Sequence, residues 1–473
     1  MNQTIYSSKI KYLIAFVLLT HFNLLASSEG SESLLTLKAS ILKAQENDPW
    51  LSGNQHQQDA VNSLSIAAGT YADPKVSLSM ANLPTDNFNL SQEGMTQFKV
   101  AVAQMLPRGD SLSLKQAQLK LSSQQYPFQR QNRKAKVAVT VGQLWLDTFR
   151  VQQSIRLIQA DRALFEQLTD VAQASYSSAQ GKTRQQDVIR AQLELTMLDD
   201  RLNQLSQQKN RYQGQLSQWL AAKNLNTTQS VNFHDLNLGD SLPTVALLKE
   251  DIIKSKNWLT PDKLVENFYQ HPSIMAIDKK INASTQGIAL AKQSYEPQWG
   301  VNASYAYRDD DPMGNNRADL FSMGVTFDLP LFTGNRQDQQ VSAAISQTES
   351  VKTERLLLLR QLMGAYSSGK GRLLRLEERQ SLYNTKLLPQ IQDQAEASLT
   401  AYTNDDGDFS EVVRARIAQL NAKIESLTIE TQIQKVQLEL NYLFVSQAEQ
   451  MLRFKKNNNL VSYKKTPITL GEK

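Results

Sequence analysis

Two stretches in the second half of the chain alternate between apolar and polar or small residues. Val301, Ala303, Tyr305 and Tyr307 are separated by Asn302, Ser304 and Ala306. Phe321, Met323, Val325, Phe327 and Leu329 are separated by Ser322, Gly324, Thr326 and Asp328. Period two predicts strands with one apolar, aromatic-rich face. The first half repeats the pattern: Val76, Leu78 and Met80 among Lys75, Ser77 and Ser79, then Phe98, Val100 and Val102 among Lys99, Ala101 and Ala103. Each stretch runs about 10 residues, the length a tilted membrane strand needs, although a half-buried sheet in a soluble domain carries the same signature. Polar connectors lie within each pair, at 83–94 and at 309–318. The second opens Asp309-Asp310-Asp311-Pro312, which reads as a solvated loop tip rather than a cation site.

Elsewhere the period becomes helical. Between Ser111 and Gln180 the only proline is Pro127, and between Asn335 and Tyr402 it is Pro389. A helix of ~70 residues would extend ~100 Å, beyond what a globular domain accommodates. Val137, Val141, Leu144, Thr148, Val151, Ile155 and Ile158 step by four and three, as do Leu195, Leu198, Leu202, Leu205, Lys209, Tyr212, Leu216 and Trp219. Such heptad spacing predicts antiparallel helices packed as a coiled coil, with wet faces rich in Gln, Ser, Asn and Arg.

The chain states this plan twice. A shift of 223 maps Pro74 onto Pro297, Asp48-Pro49 onto His271-Pro272, and Leu106-Pro107 onto Leu329-Pro330. A shift of 224 maps Asp187-Val188-Ile189-Arg190-Ala191 onto Glu411-Val412-Val413-Arg414-Ala415. Each repeat is expected to run helix, strand pair, long helical hairpin. The expected division is 29–222 for repeat one, 223–259 for a polar connector, 260–447 for repeat two and 448–473 for a basic tail.

Residues 1–28 read as a secretory signal: basic Lys9 and Lys11, an apolar run from Tyr12 to Leu19, and small Ala26-Ser27-Ser28 for cleavage. No later stretch is apolar enough for a helical span, and the mean hydropathy is −0.43. The absence of cysteine excludes disulfides, thiolate metal sites and lipid attachment at an N-terminal Cys. Losing Lys9 and Lys11 takes the formal charge from +5 to +3. The tail then holds Arg453, Lys455, Lys456, Lys464, Lys465 and Lys473 against Glu472, which leaves the body near −2 and no nucleic-acid-binding surface.

Four membrane-length strands do not close a barrel around solvent, and lipid tolerates no unpaired edge. An aqueous lumen needs more than eight strands, so copies have to associate. A ring of three gives 3 × 4 = 12 strands and a matching ring of helical hairpins, a conduit rather than a packed body.

Several motifs point the same way. Asp73-Pro74, Asn82-Leu83-Pro84, Met95-Thr96-Gln97 and Gln104-Met105-Leu106-Pro107-Arg108-Gly109, with the duplicated plan, resemble the TolC-like outer-membrane efflux family, in its heavy-metal (CzcC- and CusC-like) branch. The resemblance implies a fold that is mainly α with membrane β: a homotrimeric 12-stranded outer-membrane β-barrel continuing into a long periplasmic α-helical barrel. It implies a passive exit duct served by a periplasmic adaptor and an inner-membrane proton-driven pump of the RND type. The chain lacks the lipidated cysteine of several relatives.

The resemblance also implies a periplasmic gate. Tyr402 and Asp187 match the family's Tyr–Asp latch, and the assisting Arg falls near Phe409. Glu411 matches one position of the acidic entrance ring, Arg414 occupies the next, and Asp405, Asp406 and Asp408 crowd the turn. Turn chemistry alone accounts equally for Asn404-Asp405-Asp406-Gly407. Pro107, Gly109, Pro330 and Gly334 mark the turns from strand to helix.

Catalytic chemistry has no support. Gly364 to Gly371 nearly spells a phosphate-binding loop, but it ends in Gly where Ser or Thr would hold magnesium and lies inside a helical stretch. His21, His56, His234 and His271 lack metal-ligand spacing, and the ten methionines are scattered. No cofactor and no resident metal are expected. Two other readings remain: a duct for drugs or secreted protein, and a secreted coiled-coil structural protein or adhesin.

Overall fold

The computed structural model describes residues 35–177, 184–221, 238–404 and 406–446. The signal segment, the basic tail, Asp405 and His234 lie outside them. In the first half α1 (Leu37–Asn47) and α2 (Pro49–Ala68) precede β1 (Lys75–Ala81) and β2 (Gln97–Met105), then α3 (Ser111–Ser123), α4 (Gln125–Ser177) and α5 (Gln185–Leu220). In the second, α6 (Glu250–Ile253), α7 (Pro261–Phe268) and α8 (Pro272–Lys292) precede β3 (Trp299–Tyr307) and β4 (Leu320–Phe327), then α9 (Gln337–Leu382), α10 (Leu388–Thr403) and α11 (Phe409–Leu443). The long stretches are each broken once: Gln124 separates α3 from α4, and a π-helical turn at Tyr383–Leu387 separates α9 from α10. A proline follows each break, Pro127 and Pro389, because its ring removes one backbone donor and clashes with a continuing helix.

The two strand pairs merge into one antiparallel sheet of order β1-β2-β3-β4, so the halves are joined by β2–β3 pairing, and β1 and β4 are both edges. The register aligns Leu78 with Val100, Val100 with Tyr305 and Tyr305 with Phe321. All four strands therefore present their apolar residues on one face. That face is bare: Met323 is 80% exposed, and Leu78, Val301 and Phe321 are exposed with it. On the other face a Cβ added at Gly300 would meet Met105 Sδ at 2.6 Å, and one at Gly324 would meet Asn302 Oδ1 at 2.9 Å. That face is the small and polar one, and Ser304 and Ala306 are buried on it. At the loop end, Arg317 donates to the carbonyls of Ser91 and Glu93, and Arg308 donates to those of Gly94 and Ala318, pinning the two connectors together.

The helices form a wall, with α1 lying against both α4 and α5 and α7 against α9. Near the sheet the order is α2, α3, α8, α9; further away it is α5, α4, α11, α9 with α10. The stripe Val137, Val141, Thr148, Val151 and Ile158 of α4 is buried, with Leu144 and Ile155 half-buried. Helix α11 lies mid-wall between α4 and α9 and is apolar on more than one side. There are three apolar clusters rather than a single core: two lie side by side, sharing Tyr442 and the connector, and the third lies farther from the sheet. The connector is less polar in place than in sequence, since its described part buries Leu238, Val245, Leu248 and Ile253. Gln434 accepts the amide of Val245 (2.7 Å), and Asn441 accepts that of Leu248 (2.8 Å), holding the connector against α11. Lys370, from the phosphate-loop lookalike, lies in α9, wholly buried, donating to the carbonyls of Ile252 and Asn257 beneath the Trp258 ring.

Both halves start a helix with a side-chain cap and a proline at the first position. Asp48 accepts the amide of Trp50 and pairs with Arg133, whose guanidinium lies between the rings of Trp50 and Trp219. His271 does the same work without an ion pair. It is 1% exposed, its Nδ1 lies 2.7 Å from Ser273 Oγ, and its Nε2 lies 3.0 Å from the Tyr442 carbonyl. Burial, with help from nearby Lys136, lowers its pKa to about 4. A buried neutral histidine stabilises the fold fully above the unfolded pKa of 6.5, and that contribution is lost as pH falls toward 4. The linkage amounts to about 3 kcal/mol. His271→Asn keeps a capping acceptor and removes the titration. Its unfolding free energy, followed in denaturant from pH 7 to pH 4, is expected to fall less steeply than that of the parent; equal slopes would refute the assignment.

Candidate gate and strand-to-helix junction

At the end of the wall far from the sheet, the turn between α10 and α11 is built by close backbone approach. The amide of Asp406 donates to the Ala401 carbonyl at 2.9 Å. A Cβ at Gly407 would stand 2.7 Å from the Tyr402 nitrogen, so this position has room only for hydrogen. Asp408 then caps α11, its carboxylate oxygens lying 3.4 Å from the Ser410 amide and 3.1 Å from the Ser410 hydroxyl. Phe409 takes the place expected for an assisting Arg; it is buried and meets the Tyr402 ring edge-on, with centroids 5.5 Å apart.

Asp187 stands in the first turn of α5, buried, with Oδ2 accepting the Arg184 amide at 3.0 Å. Its neighbour Val188 joins Phe165, Phe409 and Val412 in the cluster on which Tyr402 packs. The tip therefore brings Asp187 and Tyr402 to one apolar cluster. Glu411, beside it on α11, pairs with Arg414. Three acidic groups sit in the first turns of helices or cap them, where the positive end of the helix dipole favours them. Turn and cap chemistry thus engages Asp187, Asp408 and Glu411 within one copy.

At the opposite end of the helices the sheet passes into α3 and α9. Pro107 follows the last β2 pairing, where the Leu106 amide donates to the Trp299 carbonyl at 2.7 Å. Gly109 has φ +42°, and a Cβ there would lie 2.3 Å from Gln293 Oε1, which itself accepts the Asp110 amide at 2.9 Å. Arg108, between them, reaches the other half of the chain. It donates to the Glu296 carbonyl at 2.9 Å and grips the Asp328 carboxylate with both terminal nitrogens. Sequence reading quoted Arg108 within a motif and Asp328 within a strand but did not pair them. The available signal was two opposite charges closing the alternating segments at the same end. Pro330 and Gly334 mark a looser turn: Gly334 has open space around it, and Leu331 and Phe332 project into solvent, Phe332 92% exposed.

Among the described residues no group of three or more His, Asp or Glu side chains could hold a metal ion, and no helix is long and apolar enough to cross a membrane.

No family model matches the chain, and no curated protein matches it in sequence. Solved structures do match in fold. CusC, described in crystal structures of its folding and transmembrane channel formation, aligns with a TM-score of 0.70 at 13% identity, over 88% of this chain and 93% of that one. The CmeC outer membrane channel of Campylobacter jejuni aligns at 0.67 and 14% identity, over 88% and 87%. VceC, an outer membrane protein of Vibrio cholerae, aligns at 0.63 and 12%, over 87% and 96%. The chain shares the fold of these channels across nearly its whole described length.

The two junction glycines should respond differently to substitution. Gly109→Ala forces a side chain onto a positive φ and into Gln293, and is expected to cost about 1–2 kcal/mol. Gly334→Ala meets nothing and should be near neutral. Melting temperatures of the two variants give the comparison; equal losses would mean that the junction is not set at Gly109.

Proposed function

We propose that three copies of this chain close into a 12-stranded barrel in the outer membrane, continued by a helical barrel across the periplasm, and that the assembly is a passive exit duct. The observation that carries the reading is the sheet: a bare apolar face bounded by two unpaired edges. In water that face would be a large adhesive patch; in lipid it is solvated, and only strand pairing with another copy satisfies the edges. Strand β1 lies on the same lateral side as α2 and α5, and β4 on the same side as α9 and α10. One copy's β4 side then meets the next copy's β1 side along the whole length, a heterologous contact that closes by rotation. Exposed Leu64 and Ile66 of α2, Ile189 and Met197 of α5, and Leu356 and Leu357 of α9 supply apolar surface near those edges.

The likeness to outer membrane channels supports the same reading, as do the family-like motifs. On that resemblance a periplasmic adaptor docks on the duct, and an inner-membrane pump of the RND type supplies energy. The motifs at 82–84 and 104–109 favour heavy-metal cations as cargo; drugs or secreted protein would use the same geometry. A secreted adhesin leaves the bare apolar face unexplained. The enzyme class finds no constellation to support it.

Two experiments address the reading. Met323→Arg places a cation on the apolar face, at about 2–4 kcal/mol per copy near the bilayer midplane. Cells making it should lose the crosslinked trimer from the outer-membrane fraction, while the parent retains it; a parent found soluble and monomeric removes the duct altogether. The tip latch rests on Asp187 and Tyr402. Asp187→Ala should raise single-channel conductance in planar bilayers severalfold, and an unchanged conductance would leave Asp187 as a helix cap only.

A further inference from the structure

The duct reading leaves open what the barrel favours as it passes cargo, and the sheet carries an answer. The four strands contain no Asp or Glu, and their only charged residues are Lys75 and Lys99. Both belong to the small and polar alternation, opposite the apolar face, and so to the side that becomes the lumen: Lys75 lies opposite Ala103, and Lys99 lies between Ser79 and Ala306. The neighbours are short and uncharged, so they neither screen nor neutralise the ammonium groups. Neither lysine has an ion pair or hydrogen bond among the described residues. The carboxylates that bracket the sheet are mostly committed. Asp328 is held by Arg108, and Asp319 by the Tyr305 hydroxyl and the Arg308 amide, whereas Asp73 precedes β1 below Lys75.

We infer that the barrel lumen is an anion-favouring band, set by Lys99 with Lys75 about 13 Å below it. The inference rests on the trimeric duct proposed above and names the charge class that passes most readily through its membrane section. Repeated around the ring, these ammonium groups raise the local concentration of anions and lower that of cations. Ionic screening over about 8 Å at physiological salt limits the bias to a few-fold in a wide lumen, a filter rather than a binding site. The acidic loops at one mouth and the acidic helix turn at the other do not extend into the strands. A bare divalent cation is disfavoured in this band.

The test uses the full mature protein in planar bilayers, with pyrophosphate added on the loop side. Pyrophosphate should reduce the current in the parent, and the concentration for half-block should rise at least fivefold in Lys99→Gln and further in Lys75→Gln/Lys99→Gln. Hexaamminecobalt(III) on the same side should block weakly in all three. A half-block concentration unchanged in the double variant, or stronger block by the cobalt cation than by pyrophosphate, would overturn the charge filter and leave the duct intact. A parent that inserts but passes no current would overturn the duct, and the filter with it.

Discussion

A backbone amide at the edge of a sheet has to be paired or wetted, and within a bilayer only pairing is open to it. That constraint organises the molecule. Because β2 pairs with β3, both halves contribute to one four-stranded stave with two open edges, instead of forming two independent hairpins. One side of the stave is apolar from edge to edge, the side that the proposed duct turns to lipid. The helices inherit the same lateral order, α2 and α5 on one side and α9 and α10 on the other. Arg108 secures the transfer from sheet to helix by joining the strand-to-helix turn of one half to the strand end of the other.

The helical body has no single core, and its stability is distributed. Three apolar clusters do this, two side by side at the level of the connector and one toward the tip. Gln434 and Asn441 of α11 take the backbone amides of the connector, each worth about 1 kcal/mol net but costly to leave unmade once buried. Arg133 between two tryptophans binds the α1–α2 corner to α4 and the end of α5, at about 1 kcal/mol per ring face. The buried Lys370 ammonium fixes the other end of the connector through two carbonyls and an aromatic face.

The strands were legible because a two-sided sheet leaves period two in the sequence, and the α4 stripe because a helix buried on one side leaves a heptad. Helix α11 was not, since burial on several sides erases the contrast between faces that periodicity detects. The connector hides its apolar residues among lysines and serines, and its place depends on side-chain amides some 190 positions away. At the tip, local signals named the right turn, and Gly407 and Asp408 serve it by backbone approach and capping. The burial of Phe409 and the packing of Tyr402 on it arise only when four helix ends meet.

The π-helical turn at Tyr383–Leu387 has a consequence for how the halves correspond. Such a turn holds one residue more than an α-turn, which rotates everything after it by about 100°. The matched positions keep step at 223 as far as Leu106-Pro107 and at 224 from Asp187 onward, so repeat two gains one residue in between. Had the first count persisted to the tip, a carboxylate, Glu411, would correspond to Val188, whose counterpart at the second count is the fully buried Val412. One added residue, the surplus that a π-turn holds, makes valine answer valine where the helices of the wall end.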